Sequence, residues 1–152
     1  MGTRAKDRPI SEITLRKYEK PYKMSERETV RKLCLSLGLL QPGDSRDIIV
    51  DIFHLIISHK LGVHYAKLED ELIKRRKKLN LPLLGATPAN IHRQLRRLRD
   101  MQLIDKNLHR YRLTEGMSLK EIVEERVVKY HLDSILERIK EYIDKLSKDK
   151  GK

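Results

Sequence analysis

Between Thr87 and Asp100 the chain reads TPANIHRQLRRLRD, and its polar side chains are of types that recognise anions. Arg93, Arg96 and Arg97 carry planar guanidinium forks. Such a fork bonds two acceptors at once, as on guanine O6 and N7 or on two phosphate oxygens. Asn90 offers a donor beside an acceptor, the pattern that pairs with the adenine edge. Thr87 stands just before Pro88, where a starting helix leaves N–H groups free for phosphate. This is the chemistry of recognition. The sequence holds no Gly-rich phosphate loop, nucleophile–base pair or paired catalytic carboxylates, so no enzymatic activity is expected. Nucleic acid, an acidic membrane surface and an acidic protein are the three partners such a face would suit.

The distribution of charge narrows the choice. The 152 residues carry a formal net charge of +12. From Lys74 to Arg112 there are twelve Lys or Arg against two Asp, which gives +10. Residues 1–23 give +4, residues 24–73 give −2, and residues 118–148 balance at zero. A basic segment on an otherwise balanced chain is the footprint of a polyanion binder. No apolar run approaches the roughly 18 residues of a membrane span, and no membrane partner is expected. The N-terminus lacks an apolar signal core, and the lone Cys34 allows no internal disulfide. A cytoplasmic, reducing location fits both. Charged residues reach 37 %, a composition common in thermophilic proteins.

The elements that must hold the arginines are legible from periodicity. Residues 1–23 show no period and form a basic arm, laid on the body through Ile10, Ile13 and Leu15. SERE at 25–28 is a capping box, with Ser25 as N-cap and Glu28 reaching back. Val30, Leu33, Cys34 and Leu37 then make one buried stripe, and Gly38 stops the helix. A second helix from about Ser45 to Lys60 is apolar almost all round and belongs at the centre of the domain. A third, about 66–79, buries Leu68, Leu72 and Ile73 and ends in KRRKK, where cations suit the helix C-terminus. VHY at 63–65 is a short extended piece.

At about 100° per residue, Ile91, Leu95 and Leu98 of the quoted stretch point within about 40° of one direction. Ala89, Arg93, Arg96, Arg97 and Asp100 point the opposite way. The arginines therefore form one solvent face. RYRL at 110–113 alternates, so a hairpin is expected with Tyr111 and Leu113 inside and Arg110 and Arg112 outside. Ser118 opens a long helix to about Leu146. Its Leu132, Leu136, Ile139, Ile143 and Leu146 form a coiled-coil-like seam, widened by Ile135 and Tyr142.

Other residues admit plainer roles. Cys34 reads as core. His54, His59 and His64 are spaced by five, which shares no helix face, so no metal site and no cofactor are expected. Asp47, Asp51 and His54 make a polar stripe that is either a satisfied hydrogen-bond network, a subunit contact or a small-effector site.

The segment from 45 to 117, above all I…LRRLRDMQLID…HRYRLTEG over 91–116, resembles the winged helix-turn-helix superfamily of transcriptional regulators, particularly archaeal ones. Residues 74–85 are longer than the tight turn usual there. The resemblance implies a mainly α fold with a short β-hairpin wing, followed by a long C-terminal dimerisation helix. Together with the periodicity, this divides the chain into an arm (1–23), a winged-helix domain (24–117) and the dimerisation helix (118–148). It implies a homodimer that binds double-stranded DNA, with helix 87–101 in the major groove and wing 105–113 on the backbone. Asn90, Arg93 and Arg97 are then the base readers. Thr87, Arg96, Lys74, Arg75, Arg76, Lys77, Lys78, Arg110 and Arg112 are the backbone contacts. RNA binding, sequence-independent binding within a replication or repair complex, and a protein-binding adaptor are the rival readings.

Overall fold

The computed structural model describes residues 7, 9, 11–16, 20–44 and 46–150. The chain is mainly helical with a small antiparallel sheet and a long C-terminal helix. Helix α1 (Glu26–Ser36) starts at Ser25, whose hydroxyl accepts from the Glu28 N–H at 3.1 Å. Only half of the expected box forms, because the Glu28 carboxylate accepts from Arg31 at 3.1 Å. Gly38, at φ +75°, turns the chain back, and the Leu39 N–H donates to the Cys34 carbonyl. The extended strap 11–16 crosses this end of α1. Thr14 donates its N–H to the Ser36 carbonyl at 3.0 Å, and its hydroxyl donates to that of Leu35 at 3.2 Å. Ile13 is partly buried, but Leu15 is fully exposed and does not anchor the arm as expected; Ile10 lies outside the described residues.

Helix α2 (Ile48–Ser58) is the centre of the core, with Ile48, Ile49, Val50, Ile52, Phe53, Leu55 and Ile56 all buried. It is shorter than the expected span from about Ser45 to Lys60. Asp47 stands at its N-cap and Ser45 lies outside the described residues. Strand β1 (Val63–His64), helix α3 (Tyr65–Lys78), helix α4 (Pro88–Asp100), β2 (Ile104–Asn107) and β3 (Arg110–Leu113) follow. The strands pair in the order β1-β3-β2, all antiparallel. β3 runs down the middle, with Tyr111 opposite Val63 on one side and Lys106 on the other. Tyr111 is buried and Leu113 packs against the core, so the expected alternation holds.

Beyond Gly116 the core continues. Ser118 caps α5 (Leu119–Ile122), accepting from the Glu121 N–H at 3.2 Å. A π-helical stretch, Val123–Leu132, follows, and then α6 (Asp133–Lys150). The π stretch explains which residues face the body. In an α-helix a step of five residues turns a side chain about 140° away. In a π-helix, bonded i to i+5, it returns to the same face. Ile122 and Val127, five apart, are both buried, and His131 is buried after them. Residues 118–131 thus belong to the compact body, whereas the expected boundary stood at 117. No residue of α6 is buried.

Candidate nucleic-acid interface

Helix α4 is held by its sequence in the expected way. The Thr87 hydroxyl accepts from the Asn90 N–H at 3.3 Å, Pro88 occupies the first turn, and Ile91, Leu95 and Leu98 are buried. Behind it, His92 stacks on Tyr65 of α3, with ring centroids 4.3 Å apart and planes 9° from parallel. Burial pushes the Tyr65 phenol up to about 12. The stack fixes the roll of α4 against α3 and leaves the arginine face outward.

On that face a hydrogen-bond chain runs along the helix. Arg97 Nη1 donates to Gln94 Oε1 at 2.8 Å, and Gln94 Nε2 donates to Asn90 Oδ1 at 3.1 Å. Asn90 Nδ2 donates to the Gly85 carbonyl at 2.7 Å. The Asn90 amide is thereby tied at both ends inside the chain, with one N–H and one oxygen lone pair left over, so it is less free to turn toward an adenine edge. Asn90 instead ties α4 to the loop before it. Arg97 is half-buried and oriented by Gln94, while Arg93 and Arg96 are exposed. Neither has an ion pair among the described residues.

The face is framed. Arg93 and Arg97 line one recess with Pro9, Glu12, Gln41 and Asp100, and a second with Asp44 and Arg46. Sequence reasoning missed Gln94 and Arg46. Gln94 was within reach of it, being four residues after Asn90 and three before Arg97, the spacing at which helical side chains meet. Arg46 arrives through a loop, and only the tertiary fold brings it near.

The basic run that ends α3 divides sharply. Arg76, expected on a phosphate, is fully buried; its Nη1 lies 2.7 Å from Asp51 and 3.0 Å from Asp47. The reason is its place on the Leu68–Leu72 face of α3, four residues beyond Leu72. Arg27 of α1 completes the cluster, reaching Asp51 and Asp47 at 2.9 Å each. Its hydrogen bond to Asp51 chiefly raises the Arg27 pKa, against the cost of burial. Burial works to raise the Asp47 carboxyl, but bonds from Arg27 and Arg76 outweigh it and hold the group below its ordinary value. The Asp47–Asp51 part of the polar stripe is thus an internal ion-pair network, in which the buried Arg76 Nη2 is left without a hydrogen-bond partner. His54 Nδ1 meets Arg75 Nη1 at 2.8 Å, so Arg75 turns toward α2 and away from solvent. Lys74 pairs with Asp70 at 2.9 Å. Lys77 and Lys78 are exposed and have no ion pair among the described residues.

The hairpin is also selective. Arg112 pairs with Asp105 across the strands at 2.8 Å, so its charge is matched within the hairpin, unlike the unpaired cation expected there. The Asp105 bond is the main cause of its raised pKa. Arg110 is exposed, its Nη1 3.3 Å from the Gly62 carbonyl, and Lys106 stands 5.5 Å over the Tyr111 ring. The tip, Leu108–His109, has positive φ at both residues, the two-residue turn whose twist suits a hairpin.

The seam residues Leu132, Leu136, Ile139, Ile143 and Leu146 are all exposed, with Tyr130 and Tyr142 beside them. No helix among the described residues is long and apolar enough to cross a membrane. Comparison with protein-family models, with characterised proteins and with solved structures gives no match.

Proposed function

We propose that this chain is a sequence-specific double-stranded DNA-binding transcriptional regulator that acts as a homodimer, with α4 in the major groove and the β2–β3 hairpin on the backbone. One observation carries the reading: the exposed arginines of α4 lie opposite its buried Ile91–Leu95–Leu98 stripe. A helix so divided fits the groove with its charged side while the core holds the other. Further support is the order α2-β1-α3-α4-β2-β3 with strands arranged β1-β3-β2. A winged helix-turn-helix, which the sequence resembles, would require a helix–helix unit followed by such a hairpin.

Within this reading Arg93 is the leading base reader and Arg97 a second, pre-oriented by Gln94. Arg96, Lys77, Lys78, Arg110 and the α4 N-terminus at Thr87 meet phosphates. The dimer forms through the exposed seam of α6, since the preceding residues of the C-terminal helix are used on the body. An exposed apolar stripe of that length calls for a cover.

One observation favours a second reading. With Asn90 engaged internally, the face is poorer in base readers, which suits sequence-independent binding of nucleic acid. The deciding experiment is competition among duplex DNA, single strands and folded RNA, followed by selection from a randomised duplex pool. A recovered consensus supports the regulator. Equal retention of all duplexes, or preference for RNA, overturns it.

A further inference from the structure

We propose that the two copies of α6 pair antiparallel; this orientation rests on the homodimer reading above. Along the seam the spacing alternates four and three, so Leu136 and Ile143 take the a positions of a heptad. Leu132, Ile139 and Leu146 take the d positions. All five stand between 41 % and 61 % exposed, which leaves room for a second helix to cover them. The same numbering puts Asp133 and Lys140 at the e positions, directly beside the seam, and Ile135 and Tyr142 at the g positions.

On the outer side of α6 some charges are matched within the helix, while Glu137, Asp144 and Lys148 have no ion pair among the described residues. Arg138 pairs with Glu141 at 3.6 Å and Lys145 with Asp149 at 3.5 Å. Asp133 and Lys140 likewise have no ion pair among the described residues, and they alone of these unpaired charges stand at the e positions flanking the seam. They are of opposite sign and seven residues apart, so each is offered to whatever lies across the seam.

In a parallel pair an e side chain faces a g side chain of the other helix. Lys140 would then meet Ile135 of the second copy, and neither Lys140 nor Asp133 would find a counter-ion across the seam. In an antiparallel pair e faces e and g faces g. If Leu136 lies beside Ile139 of the second copy and Leu132 beside Ile143, then Asp133 of each copy falls beside Lys140 of the other. Tyr142 then falls beside Ile135. Every seam residue from 132 to 143 gains an apolar neighbour, and both flanking charges gain a partner. The flanking charges are complementary in the antiparallel direction only.

Two measurements on the full chain test this. In sedimentation, Asp133→Lys and Lys140→Asp should each weaken dimerisation roughly tenfold by replacing attraction with repulsion. The double variant, with signs exchanged, should return to the parent affinity. In disulfide trapping, Leu132→Cys mixed with Ile143→Cys should give cross-linked dimers containing one of each, and neither variant alone should cross-link. Cys34 is fully buried and stays out of the reaction. Efficient cross-linking of Leu132→Cys to itself, or a double charge variant as weak as the singles, overturns the antiparallel arrangement while leaving the dimer standing. A parent chain that is monomeric at every concentration overturns the homodimer reading and the orientation together.

Discussion

Arg76 of α3 and Asp51 of α2 meet at 2.7 Å with neither side chain exposed to solvent. With Arg27 and Asp47 they make a cluster of two cations and two carboxylates that ties α1, α2 and α3 together. Arg76 also donates from Nε to the Pro82 carbonyl at 2.7 Å, so the same side chain fixes the loop that leads into α4. Arg76→Ala should cost roughly 3–5 kcal/mol, because it leaves a buried carboxylate pair with one cation. Arg76→Lys should recover little, since an ammonium cannot span Asp47, Asp51 and the Pro82 carbonyl. Urea unfolding measures both. A loss below about 1 kcal/mol for the alanine variant would be that of an exposed pair and would contradict the burial.

The cluster also sets a response to acid. The folded pKa of Asp47 is depressed. Its contribution to stability is therefore fully present above the unfolded carboxylate value of about 3.9 and is lost as pH falls through the lower folded value. The unfolding midpoint should hold steady at neutral pH and fall below about pH 4. In Asp47→Asn that part of the acid loss should disappear, from a lower starting stability. Thermal unfolding of both proteins from pH 7 to pH 2.5 makes the comparison. An unchanged acid profile in the variant would remove Asp47 from the account.

Much of the frame was legible before the structure, for a physical reason. The spacing of Ile91, Leu95 and Leu98 and the alternation of RYRL report burial through periods that local geometry imposes. The Thr87–Pro88 start reports unpaired N–H groups in the same way. What sequence could not show were the partners of individual charges. KRRKK reads as one basic run, yet Arg76 lies inward, Arg75 leans on His54, and Lys74 pairs along the helix. The distant Asp47, Asp51 and His54 decide the partners of Arg76 and Arg75, whereas the Lys74–Asp70 pair is local. Likewise Arg112 looks like Arg110 until strand register sets Asp105 opposite it. The π-helical stretch was hidden as well, because an apolar pattern such as Ile122 and Val127 does not announce a change of helical period.

Gly38 gives a local test of the strap. Its φ is +75°, and a Cβ there would run into the Glu12 carbonyl. Gly38→Ala should cost about 1–3 kcal/mol through backbone strain and displacement of residues 11–16. Hydrogen exchange should then show faster exchange of the Thr14 amide, which bonds the Ser36 carbonyl in the parent. Unaltered protection at Thr14 would mean that the close approach of strap and turn does not persist in solution.

The unpaired cations fix an expected salt dependence. Lys77, Lys78, Arg96 and Arg110 are exposed and free of ion pairs among the described residues. If each meets one phosphate, a dimer neutralises about eight, and log affinity should fall with log salt at a slope of about −7. Fluorescence anisotropy with one duplex across a salt series gives the slope. A nearly flat line would mean that these residues do not follow a nucleic-acid backbone.

On the proposed reading, base reading and backbone contact separate at Arg93 and Arg110. Arg93 lies opposite the buried stripe of α4, so a helix seated in the major groove brings its fork to base edges. Arg110 lies on the exposed side of the hairpin, where backbone is the nearer target. Loss of a bidentate base contact should cost roughly 1–3 kcal/mol and blur the choice at one base position. Loss of a phosphate contact should weaken all sequences alike and lower the magnitude of the salt slope by about one per contact. Because a dimer presents each residue twice, Arg110→Ala should shift the slope by about two and leave the preferred site unchanged. Arg93→Ala should relax the site symmetrically in both halves. Each variant is measured by selection from a randomised duplex pool at two salt concentrations. If Arg93→Ala binds more weakly but keeps the same preference, its guanidinium sits on phosphate. The sequence-independent reading favoured by the internal bonds of Asn90 then becomes the better account.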